Sequence, residues 1–287
     1  MTLLLPRTVL VSLLILAAGC ATAPGPTLAA AARIDPAPTV ALAAHPVQPP
    51  SRREVIRGLL AHNVRVLVYE GESAKRTASG VVLAVSHRGA APVTYVITNA
   101  HVVDPQGLSS PRYTIKVDRR GESTEYPARL VAQGTVPQMD LGVVSVEGLV
   151  LPAAPLASAE ELELGEDVIV AAAPYGRPIS LSGGMIAHLD WDPQTGLPRM
   201  LKTDAAIGYG ASGGGVYSVT TGRLMAIVEG YRTAKVSFAV AKEDVSFDVP
   251  MPGETFAAPT PKIRAFLQEK NLGWILEEGA PEKVAAR

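Results

Sequence analysis

Gly208-Tyr209-Gly210-Ala211-Ser212-Gly213-Gly214-Gly215 sets five glycines around one serine. Glycine lets a backbone turn tightly and approach a bound molecule closely. The octapeptide therefore reads as a turn that presents the Ser212 hydroxyl and leaves the Gly210 and Ser212 amides free to face a developing oxyanion. A serine hydroxyl is a weak nucleophile near neutral pH and needs an adjacent base, usually an imidazole with a pKa of about 6.5. Upstream, Thr98-Asn99-Ala100-His101-Val102-Val103 offers His101, and Asp140-Leu141-Gly142-Val143-Val144 offers the carboxylate of Asp140 to orient it. Each motif alone has a bland reading: Gly-x-Ser-Gly-Gly is a common loop, and a lone histidine after a β-rich run is more often structural. Their conjunction carries the argument, because each follows a predicted strand.

Around these motifs the chain alternates short β-rich runs with turn residues. The first set is Val64–Tyr69, Thr77–Val85, Val93–Thr98, Tyr113–Val117, Tyr126–Ala132 and Leu141–Val146. The second is Asp167–Ala172, Ile179–Leu189, Met200–Thr203, Gly214–Val219, Leu224–Glu229 and Val236–Val240. Many short, evenly spaced strands indicate a closed all-β architecture rather than βαβ units, and the count suits two six-stranded antiparallel β-barrels. Ser51 and Glu54 form a capping-box pattern ahead of Val55, Ile56, Leu59 and Leu60, so a short helix should pack on the first barrel. Near the end, Thr260 as N-cap, Pro261 and the apolar set Ile263, Phe266 and Leu267 predict one more helix. The expected layout is an N-terminal helix and first barrel over 51–150, a second barrel over 151–258, a C-terminal helix over 259–273 and a polar tail over 274–287.

The first fifty residues read differently. Arg7 precedes an apolar run from Thr8 to Ala18 that is too short to span a bilayer, so residues 1–19 read as a signal peptide. Leu16-Ala17-Ala18-Gly19-Cys20 is similar to a bacterial lipobox, with Cys20 as the lipidation site; an ordinary signal cleavage further on is the alternative. Residues 20–50, rich in Ala, Pro and Thr, read as a tether. Cys20 is the only cysteine, which excludes a disulfide framework and a cysteine metal site. Lys plus Arg number 26 against 27 Asp plus Glu, a balance that points away from nucleic acid. The histidines at 45, 62, 87 and 188 have no metal-ligand spacing, so no metal or other cofactor is expected.

The order His, Asp, Ser is that of the chymotrypsin type. Over residues 60 to about 271 the chain resembles the protease domain of the HtrA (DegP-like) serine proteases. Gly165-Glu166-Asp167-Val168-Ile169-Val170 and its continuation to Ala173-Pro174-Tyr175-Gly176 are similar to a family segment ending in a Pro-Phe-Gly turn. Ser182-Gly183-Gly184-Met185-Ile186, Thr203-Asp204-Ala205-Ala206-Ile207 and Phe256-Ala257-Ala258-Pro259-Thr260 match further family stretches. Ala211 stands where the family usually has Asn, Tyr209-Gly210 replaces a common Pro-Gly, and with only residues 274–287 after the final helix no PDZ domain is expected.

The resemblance implies a chymotrypsin-type fold and a serine endopeptidase with His101, Asp140 and Ser212 as the triad. The same resemblance puts the base of the specificity pocket at Ala206, beside Ile207, Gly230 and Tyr231. Without a carboxylate at that base, small or aliphatic residues should precede the cut. Polypeptides are the expected substrates, and a lipid anchor at Cys20 would hold the enzyme at the envelope, on the outer membrane facing the periplasm. Two alternatives remain at this point: a catalytically silent scaffold on the same fold, and an esterase. Glu229 falls where related enzymes place a small polar residue near the catalytic aspartate; it either points inward beside Asp140 or turns to solvent or to an arginine such as Arg232.

Overall fold

The computed structural model describes residues 51–240 and 243–278. The expected signal peptide and tether, Cys20, His45 and the segment after Glu278 lie outside the described residues.

Two closed six-stranded antiparallel barrels form. The first is built from β1 (Asn63–Glu70), β2 (Ser73–Ser86), β3 (Val93–Thr98), β4 (Pro111–Arg119), β5 (Glu122–Gln133) and β6 (Gly142–Glu147), in the order β1-β2-β3-β6-β5-β4. The second uses β7 (Asp167–Ala172), β8 (Ser180–Trp191), β9 (Pro198–Thr203), β10 (Gly215–Ser218), β11 (Leu224–Val240) and β12 (Glu243–Pro259), in the order β10-β11-β12-β9-β8-β7. Closure removes the edge strands that an open sheet would expose. The fold is the chymotrypsin-type double barrel with a C-terminal helix. Strand alternation sends Val66, Val82, Val96, Ile115 and Val144 into the first barrel, and Val170, Leu201, Val216 and Val228 into the second. Burying each such side chain stabilises the fold by about 1.5–3 kcal/mol.

A further cluster lies between the barrels. Ile97, Leu141 and Val143 of the first barrel meet Ile169, Tyr217, Leu224 and Ile227 of the second, and the helices pack onto the same cluster. The Ser51/Glu54 capping box forms and starts α1 (Arg52–His62), which buries Val55 and Leu59 there. The helix therefore packs at the junction of the barrels rather than on the first barrel alone. Leu60, on its other face, is exposed.

Three further expectations change. The run Val236–Val240 is not a separate strand but the outer half of β11, and the sixth strand of the second barrel is β12. Bulges at Val228/Gly230 and Tyr231/Thr233 bend β11, and Pro250, Pro252 and Gly253 interrupt the strand pattern of β12. Such residues are tolerated where a strand has left the barrel. The C-terminal helix α3 (Thr260–Glu269) has Pro259 rather than Thr260 as its N-cap, with no side-chain capping bond. The expected polar tail begins with a short helix, α4 (Trp274–Glu278). It buries Ile275, stacks Trp274 edge-on against Tyr95 at 5.0 Å, and pairs Glu278 with Arg88.

Candidate active site

β3 ends at Thr98, and the one-turn helix α2 (Ala100–Val103) follows at once, so His101 leaves the barrel wall with its side chain 42% exposed. Asp140 lies just before β6 and is largely buried. The fully buried Asn99 donates through Nδ2 to the Asp140 carbonyl at 2.7 Å. The Asp140 carboxylate accepts the His101 backbone N–H at 2.9 Å through Oδ1 and meets His101 Nδ1 at 2.6 Å through Oδ2. An ionised carboxylate only accepts, so Nδ1 carries the ring proton and Nε2 is left as the proton acceptor.

Ser212 sits on the glycine turn ahead of β10. Its hydroxyl bonds to the Glu229 carbonyl at 3.4 Å, and among the described residues no hydrogen bond joins it to His101. Resting geometry of this kind is ordinary for a site that tightens when substrate binds. Gly213, at φ +81°, could hold no other residue: an added Cβ would lie 2.1 Å from the Ser79 carbonyl oxygen.

The direction of the Gly210 N–H follows from peptide planarity. Tyr209 C=O accepts from Tyr175 N–H, so the N–H of the same trans peptide, on Gly210, points the opposite way. Among the described residues neither Gly210 N–H nor Ser212 N–H donates within the protein. Both residues line a cavity of about 260 Å³ with Ile207, Gly208, Tyr209, Gly230, Tyr231 and Thr233. Among the described residues no carboxylate lines it. Ala206 faces a second cavity of about 200 Å³ instead, which shares Ile207 and Tyr231 with the first. Asp204 caps a neighbouring strand by accepting Met185 N–H at 2.7 Å. The Tyr231 hydroxyl is buried without a partner, and its desolvation, with Tyr209 beside it, pushes it up to about 12.

Four residues that position these groups escaped the sequence reading. Ser79, fully buried on β2, donates to Gly210 C=O at 2.9 Å, accepts Ala173 N–H at 2.8 Å, and donates its own N–H to Ser212 C=O at 2.8 Å. The first barrel thereby clamps the glycine turn that carries Ser212 in the second. Thr98 Oγ1 donates to the Ser79 carbonyl at 2.8 Å. Arg65, bonded to Asp118 and Ser123, holds the Gly176 carbonyl of the Pro174–Gly176 turn at 2.9 Å. The signal for Ser79 was a Ser-Gly pair directly before the apolar run Val81–Val85: a Cβ on Gly80 would lie 2.6 Å from Val96 Cγ1, so the strands approach closely there. Lys262 left no signal, because a lysine on an amphipathic helix ordinarily faces solvent.

Glu229 follows neither of its expected courses fully. Its side chain is 18% exposed and pairs with Lys262 of α3 at 2.7 Å, while Arg232 turns to Glu254. Burial pushes the Glu229 carboxyl up, Lys262 pulls it back, and the charge of Asp140 raises it again. The carboxylate is thus largely buried rather than turned to solvent, and its partner is a lysine rather than Arg232.

The chain is similar to a probable periplasmic serine endoprotease, DegP-like, of Marinomonas sp., at 30% identity over 52% of this chain and 29% of that protein. A protein of the same description from Pseudomonas fulva is 25% identical over 80% of this chain and 44% of its own length. The chain spans less than half the length of these curated relatives. Among solved structures, the serine endoprotease from Yersinia pestis shares the fold with a TM-score of 0.55 at 22% identity, covering 81% of this chain and 69% of that one. The family model of the trypsin-like peptidase domain matches residues 78–227, just over half of the chain and a span that holds His101, Asp140 and Ser212. The chain therefore belongs to the trypsin-like peptidase domain family, with DegP-like serine endoproteases among its relatives.

Proposed function

We propose that this chain is a serine endopeptidase that cleaves envelope proteins through an acyl-enzyme. The observation that carries the reading is the His101–Asp140 pair at 2.6 Å beside a glycine turn that presents Ser212 and two free amides. His101 Nε2 takes the Ser212 proton as Oγ attacks the scissile carbonyl carbon. The resulting oxyanion lies against the Gly210 and Ser212 N–H groups, which meet the charge only as it develops. His101 then protonates the leaving amine, the C–N bond breaks, and the acyl group stays on Oγ. A water deprotonated by His101 attacks the ester and releases the acid, and Ser212 regains its proton. Asp140 holds the ring and stabilises the imidazolium throughout.

Ile207, Gly230 and Tyr231 would receive the side chain before the cut, with Ala206 behind them. The absence of a carboxylate from that cavity supports a preference for small or aliphatic residues. Lipidation at Cys20 and a place on the outer membrane facing the periplasm complete the proposal; the DegP-like relatives, described as periplasmic, support the compartment.

The Ser212 hydroxyl bonded to Glu229 C=O rather than to His101 favours one rival, a silent scaffold on the protease fold. A fluorophosphonate probe decides between them: an endopeptidase labels and digests casein, and a scaffold does neither. Rapid turnover of a short-chain ester without casein digestion would favour an esterase.

A further inference from the structure

β11 leaves the barrel after Val228 and continues as half of a two-stranded ribbon. On one side β12 accompanies it, with Thr233 opposite Pro250, Val236 opposite Phe247 and Phe238 opposite Val245. On the other side β10 pairs with it only from Leu224 to Ile227, and the nucleophile turn adds two bonds at Val228. From Gly230 onward, among the described residues, no strand pairs with that edge. The free edge begins at the point where Ser212 Oγ meets the Glu229 carbonyl. Its stretch from residue 230 to 238 amounts to roughly 30 Å of unpaired backbone at about 3.4 Å per residue.

The two faces of the ribbon differ. Residues two apart on a strand and directly opposite across the pair share a face, so Val236, Phe238, Val245 and Phe247 form one apolar side. Lys235, Ser237, Ser246 and Asp248 form the other. The four apolar residues are 41–49% exposed, and the two phenylalanine rings meet edge-on at 5.9 Å. At the foot of the ribbon, Tyr231 and Thr233 line the cavity beside Ser212, while Pro250, Met251, Pro252 and Gly253 line the adjoining one. The apolar face and the free edge are thus continuous with the cleft.

We propose that this ribbon is a capture arm for extended, apolar-rich polypeptide, which adds as a third strand to the free edge of β11 and is fed toward Ser212. The proposal rests on the endopeptidase reading above. An extended chain meets both needs of the ribbon: its N–H and C=O groups pair with the edge, and its alternate side chains pack beside Val236 and Phe238 on the apolar face. A lipid surface would cover the face and leave the edge amides unpaired. A second copy needs about 800 Å² per partner, more than four half-exposed side chains provide.

The test uses the full chain and the double variant F238S/F247S. The substrates are casein and three peptides sharing one cleavage sequence: a short one spanning only the cleft, and versions lengthened by eight apolar-rich residues on either side of the cut. In the wild type, lengthening on one side should lower KM at least tenfold. The double variant should lose that gain and its low KM for casein, with kcat, short-peptide cleavage and fluorophosphonate labelling unchanged. Equal gains in both proteins, an equal loss on the short peptide, or a wild-type dimer in sedimentation that the variant dissociates would each overturn the arm. So would flotation of the wild type, but not the variant, with phosphatidylglycerol vesicles. Binding separates this outcome from failure of the endopeptidase reading. In the S212A background, anisotropy of the labelled long peptide should show a Kd at least tenfold weaker when F238S/F247S is added, whether or not the wild type cleaves; an unchanged Kd would overturn the proposal.

Discussion

Replacing Ser79 by alanine removes the two side-chain bonds of the clamp between the barrels without touching the side chains of His101, Asp140 or Ser212. The hydroxyl serves the Gly210 carbonyl at 2.9 Å and the Ala173 N–H at 2.8 Å. Ala173 is fully buried, so its amide would be orphaned at about 1–3 kcal/mol, while the half-buried Gly210 carbonyl can turn to water at about 0.5–1.5 kcal/mol. The sum, about 1.5–4.5 kcal/mol, corresponds to a fall in Tm of roughly 3–18 °C for a domain of this size. Catalysis should suffer separately, because Gly210, no longer anchored through its carbonyl, holds the N–H of its preceding peptide less firmly toward the oxyanion. Complete loss of one such donor costs about 10²–10³ in kcat, and a loosened donor should cost about 10–100-fold. The assay is kcat and KM on a short peptide together with the rate of fluorophosphonate labelling. Ser86→Ala, in the same strand but far from the turn, serves as the control. A lowered Tm with unchanged kcat and labelling would refute the clamp and leave Ser79 a packing residue.

Other consequences are as direct. Glu229→Gln should move the acidic limb of the kcat/KM profile to lower pH: removing an anion near His101 disfavours the imidazolium, and the Lys262 left behind acts in the same sense. Superimposable profiles from about pH 5 to 9 would contradict it. His62 is half-buried against the Pro152 carbonyl, and desolvation lowers its pKa. The unfolded chain therefore binds its proton first as pH falls below about 6.5. Stability should drop on acidification below that point, and His62→Gln should flatten the dependence of Tm on pH. Asp140→Asn should lower turnover by about 10⁴ with the fold retained; near-wild-type turnover would exclude Asp140 from the triad. A peptide library should be cut after small or aliphatic residues, and preferential cutting after Lys or Arg would refute the pocket assignment.

Strand alternation and turn residues made eleven of the twelve strands legible in part, because half-buried antiparallel strands write their pleat into the sequence. β12 stayed hidden because Pro250, Pro252 and Gly253 break its pattern, and its residues from Val245 to Asp248 are exposed on both faces. Thr260 looked like an N-cap by type, yet its hydroxyl is buried without a partner and Pro259 holds the position. His101, Asp140 and Ser212 were readable because each chemical type stands at a strand end with glycine or a tight turn beside it. Their supports were not. Ser79 and Lys262 lie 133 and 50 residues from Ser212 in the chain, and only the packing of β2 and α3 against the second barrel brings them to the turn. Glu229 was legible as a position and not as a pair, since its partner comes from a helix that the sequence places at the surface.

The most direct measurement is intact-mass analysis and peptide mapping of the full chain after a fluorophosphonate, for the wild type beside Ser212→Ala and His101→Ala. The account predicts one phosphonyl group on the Ser212 peptide of the wild type, none on either variant, and casein cleavage lost in parallel. Labelling elsewhere in the chain, or casein cleavage that survives Ser212→Ala, would contradict it.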